Sequence, residues 1–224
     1  MATPLDLQEQ EQLDELKHFW KTYGNLISWL LIVVMGGFAA WNGYGYWQRS
    51  QAAKASALYD EFERAALTGD LTRVERSLAD MKDKFGGTLY AQQAALLAAK
   101  TFQQKDKPDQ AVAALNWVAD QASDESYAQM ARLRLVSLLL QTRAYDEALT
   151  RLAKPFTAPF SSLAADLRGD VLLAQAKPQE AIAAYREAWQ KMEEGHEYRR
   201  LIEAKLNALG VDPQASGVTA GARK

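Results

Sequence analysis

Chemistry requires particular side chains at reachable spacings, and this chain offers few. It has no cysteine and two histidines, His18 and His196. Without cysteine there can be no disulfide, thiolate nucleophile, cysteine-ligated zinc or iron–sulfur cluster, and the redox compartment stays open. His196 stands in Met192-Glu193-Glu194-Gly195-His196-Glu197. One imidazole among carboxylates in a turn-like stretch is a weak basis for a metal site, and a solvated loop is the simpler reading. His18 precedes Phe19 and Trp20, a setting that suits a membrane interface better than proton transfer. No glycine-rich phosphate loop, nucleophile elbow or HExxH pair occurs. The sequence therefore predicts no catalytic, cofactor-binding or metal site, and a protein that works by binding rather than as an enzyme.

The elements that would carry such binding are legible in the charge pattern. Over 224 residues, 26 Lys and Arg oppose 28 Asp and Glu, and this net charge of −2 argues against a nucleic-acid partner. Hydrophobic residues make up 48% of the chain, enough for a buried core. The charges are unevenly spread. None of the 27 residues between Lys21 and Arg49 is charged. Leu26 to Trp47 as a helix would span about 33 Å, against about 30 Å for a bilayer core. Phe19, Trp20 and Tyr23 precede this run, and Trp41, Tyr44, Tyr46 and Trp47 close it, as two interfacial belts would. A cleaved signal peptide fits poorly, because 21 residues with five carboxylates precede the run. We read residues 1–21 as a short tail and 22–48 as a transmembrane anchor. Flanking Lys and Arg favour neither orientation by more than one charge. Gly36, Ala40 and Gly43 form a small-residue face that would let a second membrane helix approach, although glycine is common in membrane helices generally.

From residue 49 to 209 the pattern is helix after helix, broken by short polar segments such as Thr68-Gly69-Asp70, Phe85-Gly86-Gly87 and Lys177-Pro178. The segments repeat. With Val74, Ala111, Ala148 and Ala181 in register, Leu78, Leu115, Leu152 and Tyr185 follow four residues later, and Phe62, Ala99, Val136 and Gly169 precede by twelve. The steps are 37, 37 and 33 residues. This resembles the tetratricopeptide repeat, a helical hairpin of about 34 residues in which small residues let its two helices cross closely. The expected fold is all-α: one N-terminal transmembrane helix, then a tetratricopeptide-like α-solenoid. Tyr198, Leu201, Ile202, Leu206 and Leu209 give a final helix one apolar face to close the stack, and residues 210–224 read as a disordered tail.

In such repeats, four positions of each first helix face inward. They fall on Gln93, Leu96, Lys100 and Gln103, on Met130, Leu133, Ser137 and Leu140, and on Leu163, Asp166, Asp170 and Leu173. Some of these leucines can equally be core, so the partner-binding groove is best marked by Gln93, Lys100, Gln103, Met130, Ser137, Asp166 and Asp170. Charge reversal at Lys100 and Asp170 is expected to cost little stability, as at exposed sites.

The whole chain resembles the ancillary SecYEG translocon subunits (YfgM-type) of Gram-negative bacteria. The likeness rests on the lead-in from Glu11 to Gly24, the membrane exit from Tyr46 to Tyr59, Arg168-Gly169-Asp170, and the ending Leu201 to Asn207. It implies a cytoplasmic N-terminus, a single inner-membrane helix and a periplasmic repeat domain. It also implies association with the SecYEG translocon and with a membrane-anchored periplasmic chaperone of the prolyl-isomerase (PpiD) type, and a role in passing secreted or outer-membrane client polypeptides to chaperones. An envelope adaptor of cell division or outer-membrane assembly is the alternative, since fold alone does not fix the partner.

Overall fold

The computed structural model describes the backbone of residues 7–214 and the side chains of 13–214. Among these residues there are nine helices and no strand. They are α1 (Leu7–Thr68), α2 (Leu71–Phe85), α3 (Leu89–Gln104), α4 (Pro108–Gln121), α5 (Glu125–Gln141), α6 (Tyr145–Ala153), α7 (Ala158–Ala174), α8 (Pro178–Lys191) and α9 (Tyr198–Ala208). The chain divides into two compact units, one ending at Gln51 and the other beginning at Ala52.

The first unit is helical from Leu7 and is exposed almost throughout. It contains an 18-residue window of mean hydropathy 1.7 and is long and apolar enough to cross a membrane. Only 6% of that window is buried, so this is not the core helix of a globular domain. Asn42, a polar residue in the span, donates its side-chain amide to the Phe38 carbonyl at 3.0 Å. Such internal satisfaction is what a polar group in hydrocarbon requires.

The second unit is built of helical hairpins, and local chemistry sets each end. Asp70, Thr88 and Asp124 cap the N-termini of α2, α3 and α5 by accepting backbone N–H groups, while α4 and α8 start on Pro108 and Pro178, where the missing N–H costs nothing. Within each hairpin the turn is the same. Gly69, Asp106, Arg143 and Ala176 all adopt positive φ, between 55° and 69°, each five residues before its slot in the register. The residue after each one returns its N–H to a carbonyl in the last turn: Asp70 to Ala65, Lys107 to Phe102, Ala144 to Leu139 and Lys177 to Leu172. Only Gly69 is a glycine. The other three accept left-handed strain of about 1–2 kcal/mol each. Ala176→Gly is therefore expected to raise stability by about 0.5–1 kcal/mol after the entropic cost of glycine, a gain of about 1–4 °C in a thermal melt followed by circular dichroism.

Packing follows the repeat register. Val74, Ala111, Ala148 and Ala181 are fully buried, and so nearly are Leu78, Leu115, Leu152 and Tyr185 four residues on. Phe62, Ala99, Val136 and Gly169 are buried twelve residues before them. One core runs from Phe62 to Val171, and a second joins α7, α8 and α9 through Leu172, Tyr185, Ile202 and Leu206. Leu201, expected on the buried face of α9, is 47% exposed because the buried stripe follows Ile202 and Leu206. Gly210 and Val211 close α9 with N–H bonds back to Asn207 and Leu206. The rest of the tail, from residue 215, lies outside the described residues.

Candidate functional site: the first-helix face of the repeats

The first helices of successive hairpins touch through the side chains read as groove-lining. Gln93 on α3 donates to the Tyr127 hydroxyl on α5 at 2.9 Å, and Gln103 donates to Gln141 at 3.1 Å. Leu96 and Leu133 are buried and belong to the core, whereas Met130, Leu140 and Leu163 are half-buried. Leu173 is exposed at 41%. Ser137 turns its hydroxyl onto the Leu133 carbonyl at 3.1 Å. Lys100 and Gln103 are exposed at one end of this face.

Asp166 and Asp170 require a correction. The sequence reading placed them in an open groove, but α9 covers them. Asp166 is completely buried, accepting from the Tyr198 hydroxyl at 2.7 Å and from Lys205 Nζ at 2.8 and 2.9 Å. Asp170 accepts from the same Nζ at 2.7 and 2.9 Å and from the Tyr185 hydroxyl at 2.8 Å. One ammonium thus serves two carboxylates at i and i+4 on α7. Burial, and then the hydrogen bond to its aspartate, pushes each phenol well above the ordinary tyrosine value of 10. Reversing Asp170 would set a cation against Lys205, so the low cost expected for an exposed site does not hold there.

A second set of polar residues was not anticipated as functional or structural. Gln92 and Gln129 occupy one register position near the start of α3 and α5, and both are buried. Gln92 donates to Ser123 Oγ at 2.8 Å, while Gln129 Oε1 accepts from both the backbone N–H and the hydroxyl of Thr157, at 2.8 and 3.0 Å. Ser162, at the same position of α7, donates to the Ala188 carbonyl at 2.8 Å. Each first helix is thereby tied to the loop or helix end behind it. The repeated Tyr-Ala-Gln at residues 90–92 and 127–129 was the visible signal.

Elsewhere, Gly36, Ala40 and Gly43 are exposed, and a Cβ built on either glycine meets nothing within 4 Å. The same holds at Gly37, so open space alone does not single out that stripe. Among the described residues no three His, Asp or Glu side chains converge as metal ligands. His196 is exposed, and its Nδ1 accepts the Tyr198 N–H at 3.3 Å.

Among the described residues, one exposed apolar helix followed by helical hairpins of repeating register defines a membrane-anchored tetratricopeptide-like protein. The family described as "Tetratricopeptide repeat-like domain" matches residues 17–211. The chain is 34% identical to a protein of Neisseria gonorrhoeae over 91% of its own length and 98% of that relative. It is 28% identical to one of Haemophilus influenzae, with 91% and 98% covered, and 26% identical to one of Escherichia coli K12, with 91% and 97% covered. All three are named ancillary SecYEG translocon subunit, and this chain belongs to that family. No solved structure matches it significantly.

Proposed function

We propose that the chain is anchored beside the SecYEG channel in the inner membrane, with its N-terminus cytoplasmic and its repeats in the periplasm. There it binds emerging polypeptides or a membrane-anchored chaperone of the PpiD type and helps transfer clients between them. The observation that carries this reading is full-length similarity to relatives named for that translocon, together with an exposed apolar helix and a repeat array on one chain. With Asp166 and Asp170 occupied by α9, the available first-helix face is Lys100, Gln103, Met130, Ser137, Leu140, Leu163 and Leu173. That surface is mostly apolar and nearly uncharged, which suits an extended or helical segment of a partner.

Because the chain has no cysteine, single cysteines report cleanly. Gln103→Cys is expected to react with a membrane-impermeant maleimide added outside the inner membrane of intact cells. Labelling only after that membrane is opened would overturn the orientation. Gly36→Leu, Ala40→Leu and Gly43→Leu together should reduce co-purification with the translocon at least about fivefold, as ~1 kcal/mol of lost helix packing would. Insertion should persist, because leucine is favourable in lipid. Unchanged co-purification would remove this face as the contact.

A further inference from the structure

The repeat steps of 37, 37 and 33 residues place a deletion in one hairpin. Helix α6 has 9 residues, whereas its counterparts α4 and α8 have 14 each. The four residues missing from the register amount to about one helical turn. Where that turn would lie, the chain runs extended from Lys154 to Thr157, and a cavity of about 290 Å³ opens between α6, α7 and α8.

The cavity is held open from behind. The Arg132 guanidinium stacks over the Phe156 ring at 4.2 Å and donates to the Pro155 carbonyl at 3.1 Å, and Gln129 fixes Thr157 as described. Both come from α5, so the wall formed by this loop is preset by packed side chains. Ala164 and Ala165, nearly buried, line the α7 side without filling it. Lys154, Arg168 and Lys191 stand around it, with Glu187 as the one carboxylate. Glu187 pairs with Arg168 and with Lys191 at 2.6 Å, and hydrogen bonding from Lys191, then the Arg168 charge, holds it below the ordinary carboxylate range. The lining residues therefore carry a net charge of +2, and the three cations keep 61%, 39% and 45% of their side chains exposed. Outside the lining, Asp120 lies 3.8 Å from Lys154 and is shared with Arg151 at 3.5 Å, a long and exposed pairing that leaves the ammonium open to a second carboxylate. Another hollow, about 210 Å³ between α2, α3 and α4 and nearer the start of α4, has Lys82 and Glu75 as its charged lining residues and is neutral. Arg168 lies two residues from both Asp166 and Asp170, which puts it on the other side of α7 from the first-helix face.

We propose that this cavity is a second docking site, taking an acidic segment of a protein partner that inserts one bulky apolar side chain into the space of the absent turn and sets a flanking carboxylate against Lys154 and Arg168. It is independent of the translocon reading and of the first-helix face.

The test uses the full-length chain in detergent micelles with its alanine methyl groups isotopically labelled. Two capped hexapeptides are titrated, each with a central Phe-Leu pair, one flanked by Asp and Glu and the other by Lys and Arg. The acidic peptide should shift the Ala164 and Ala165 methyl resonances saturably, with a Kd of about 1 mM or tighter at low salt. Lys154→Glu, at an exposed position, should keep the melting temperature and weaken that binding about tenfold. Ser161→Trp, at the rim, should block it. Equal shifts from both peptides, or undiminished binding in Lys154→Glu, would overturn the proposal, as would shifts confined to methyls remote from α7.

Discussion

Replacing Lys205 by methionine is expected to lower the melting temperature of the repeat array by about 6–20 °C, corresponding to a loss of about 3–5 kcal/mol. The cause is the pair of carboxylates the substitution would strand. Asp166 is fully buried, and its two oxygens hold Lys205 Nζ and the Tyr198 hydroxyl. Without the ammonium, two like charges one helical turn apart would face each other with little water between them. Removing the carboxylates as well should reverse most of the damage. Lys205→Met with Asp166→Asn and Asp170→Asn should melt well above Lys205→Met alone, because the desolvated charge is gone. A Lys205→Met protein that melts within about 2 °C of the parent would show the network to be energetically idle.

The same network sets an alkaline limit. Tyr185 and Tyr198 are held neutral in the folded state, with values raised above 10 by burial and by donation to Asp170 and Asp166. The stability they contribute is complete below pH 10, where the unfolded phenols are also neutral, and is lost as pH rises beyond it. Tyr198→Phe should be less stable at neutral pH by about 1.5–3 kcal/mol and should show a shallower loss above pH 10.

Much of this architecture was legible because it depends on local pattern. The charge-free run between Lys21 and Arg49 is a composition signal, and the alanine register repeats often enough to survive weak matches in any one copy. The turn at Thr142-Arg143-Ala144 had no glycine or proline to announce it. Arg143 takes φ 62° because the hairpin on either side imposes it, so only the 37-residue step implied a break there. Asp166 and Asp170 were misread for a different reason. Their positions on the first helix were right, but exposure depends on what lies across from them. The lysine that occupies them is 39 and 35 residues away, on a helix recognised only by its apolar stripe. Pairings at that separation leave no trace in periodicity. The shortened α6 was visible as the 33-residue step, but the cavity it leaves depends on how Phe156 and Arg132 settle around the gap.

Gly169→Ala should be the other severe change, costing about 2–3 kcal/mol although alanine is the better helix former by about 1 kcal/mol. A Cβ at this position would lie 2.4 Å from Tyr185 Cε1 and 2.5 Å from Cδ1. The obstacle is a ring, not the end of a flexible chain. Tyr185 is 1% exposed, and its hydroxyl is tied to Asp170, so the ring cannot withdraw without loosening the seat of Lys205. The other hairpins put Phe62 with Leu78, Ala99 with Leu115 and Val136 with Leu152 at these positions, so glycine here is matched to the single tyrosine. Gly169→Ala combined with Tyr185→Leu would reproduce the Ala99–Leu115 pairing. The two changes should therefore be non-additive, the double variant being more stable than the sum of the single losses by about 1–3 kcal/mol. Thermal melts of the parent, both single variants and the double close the cycle. A strictly additive result would mean that the α7–α8 crossing tolerates a methyl group at Gly169 by moving the helices apart.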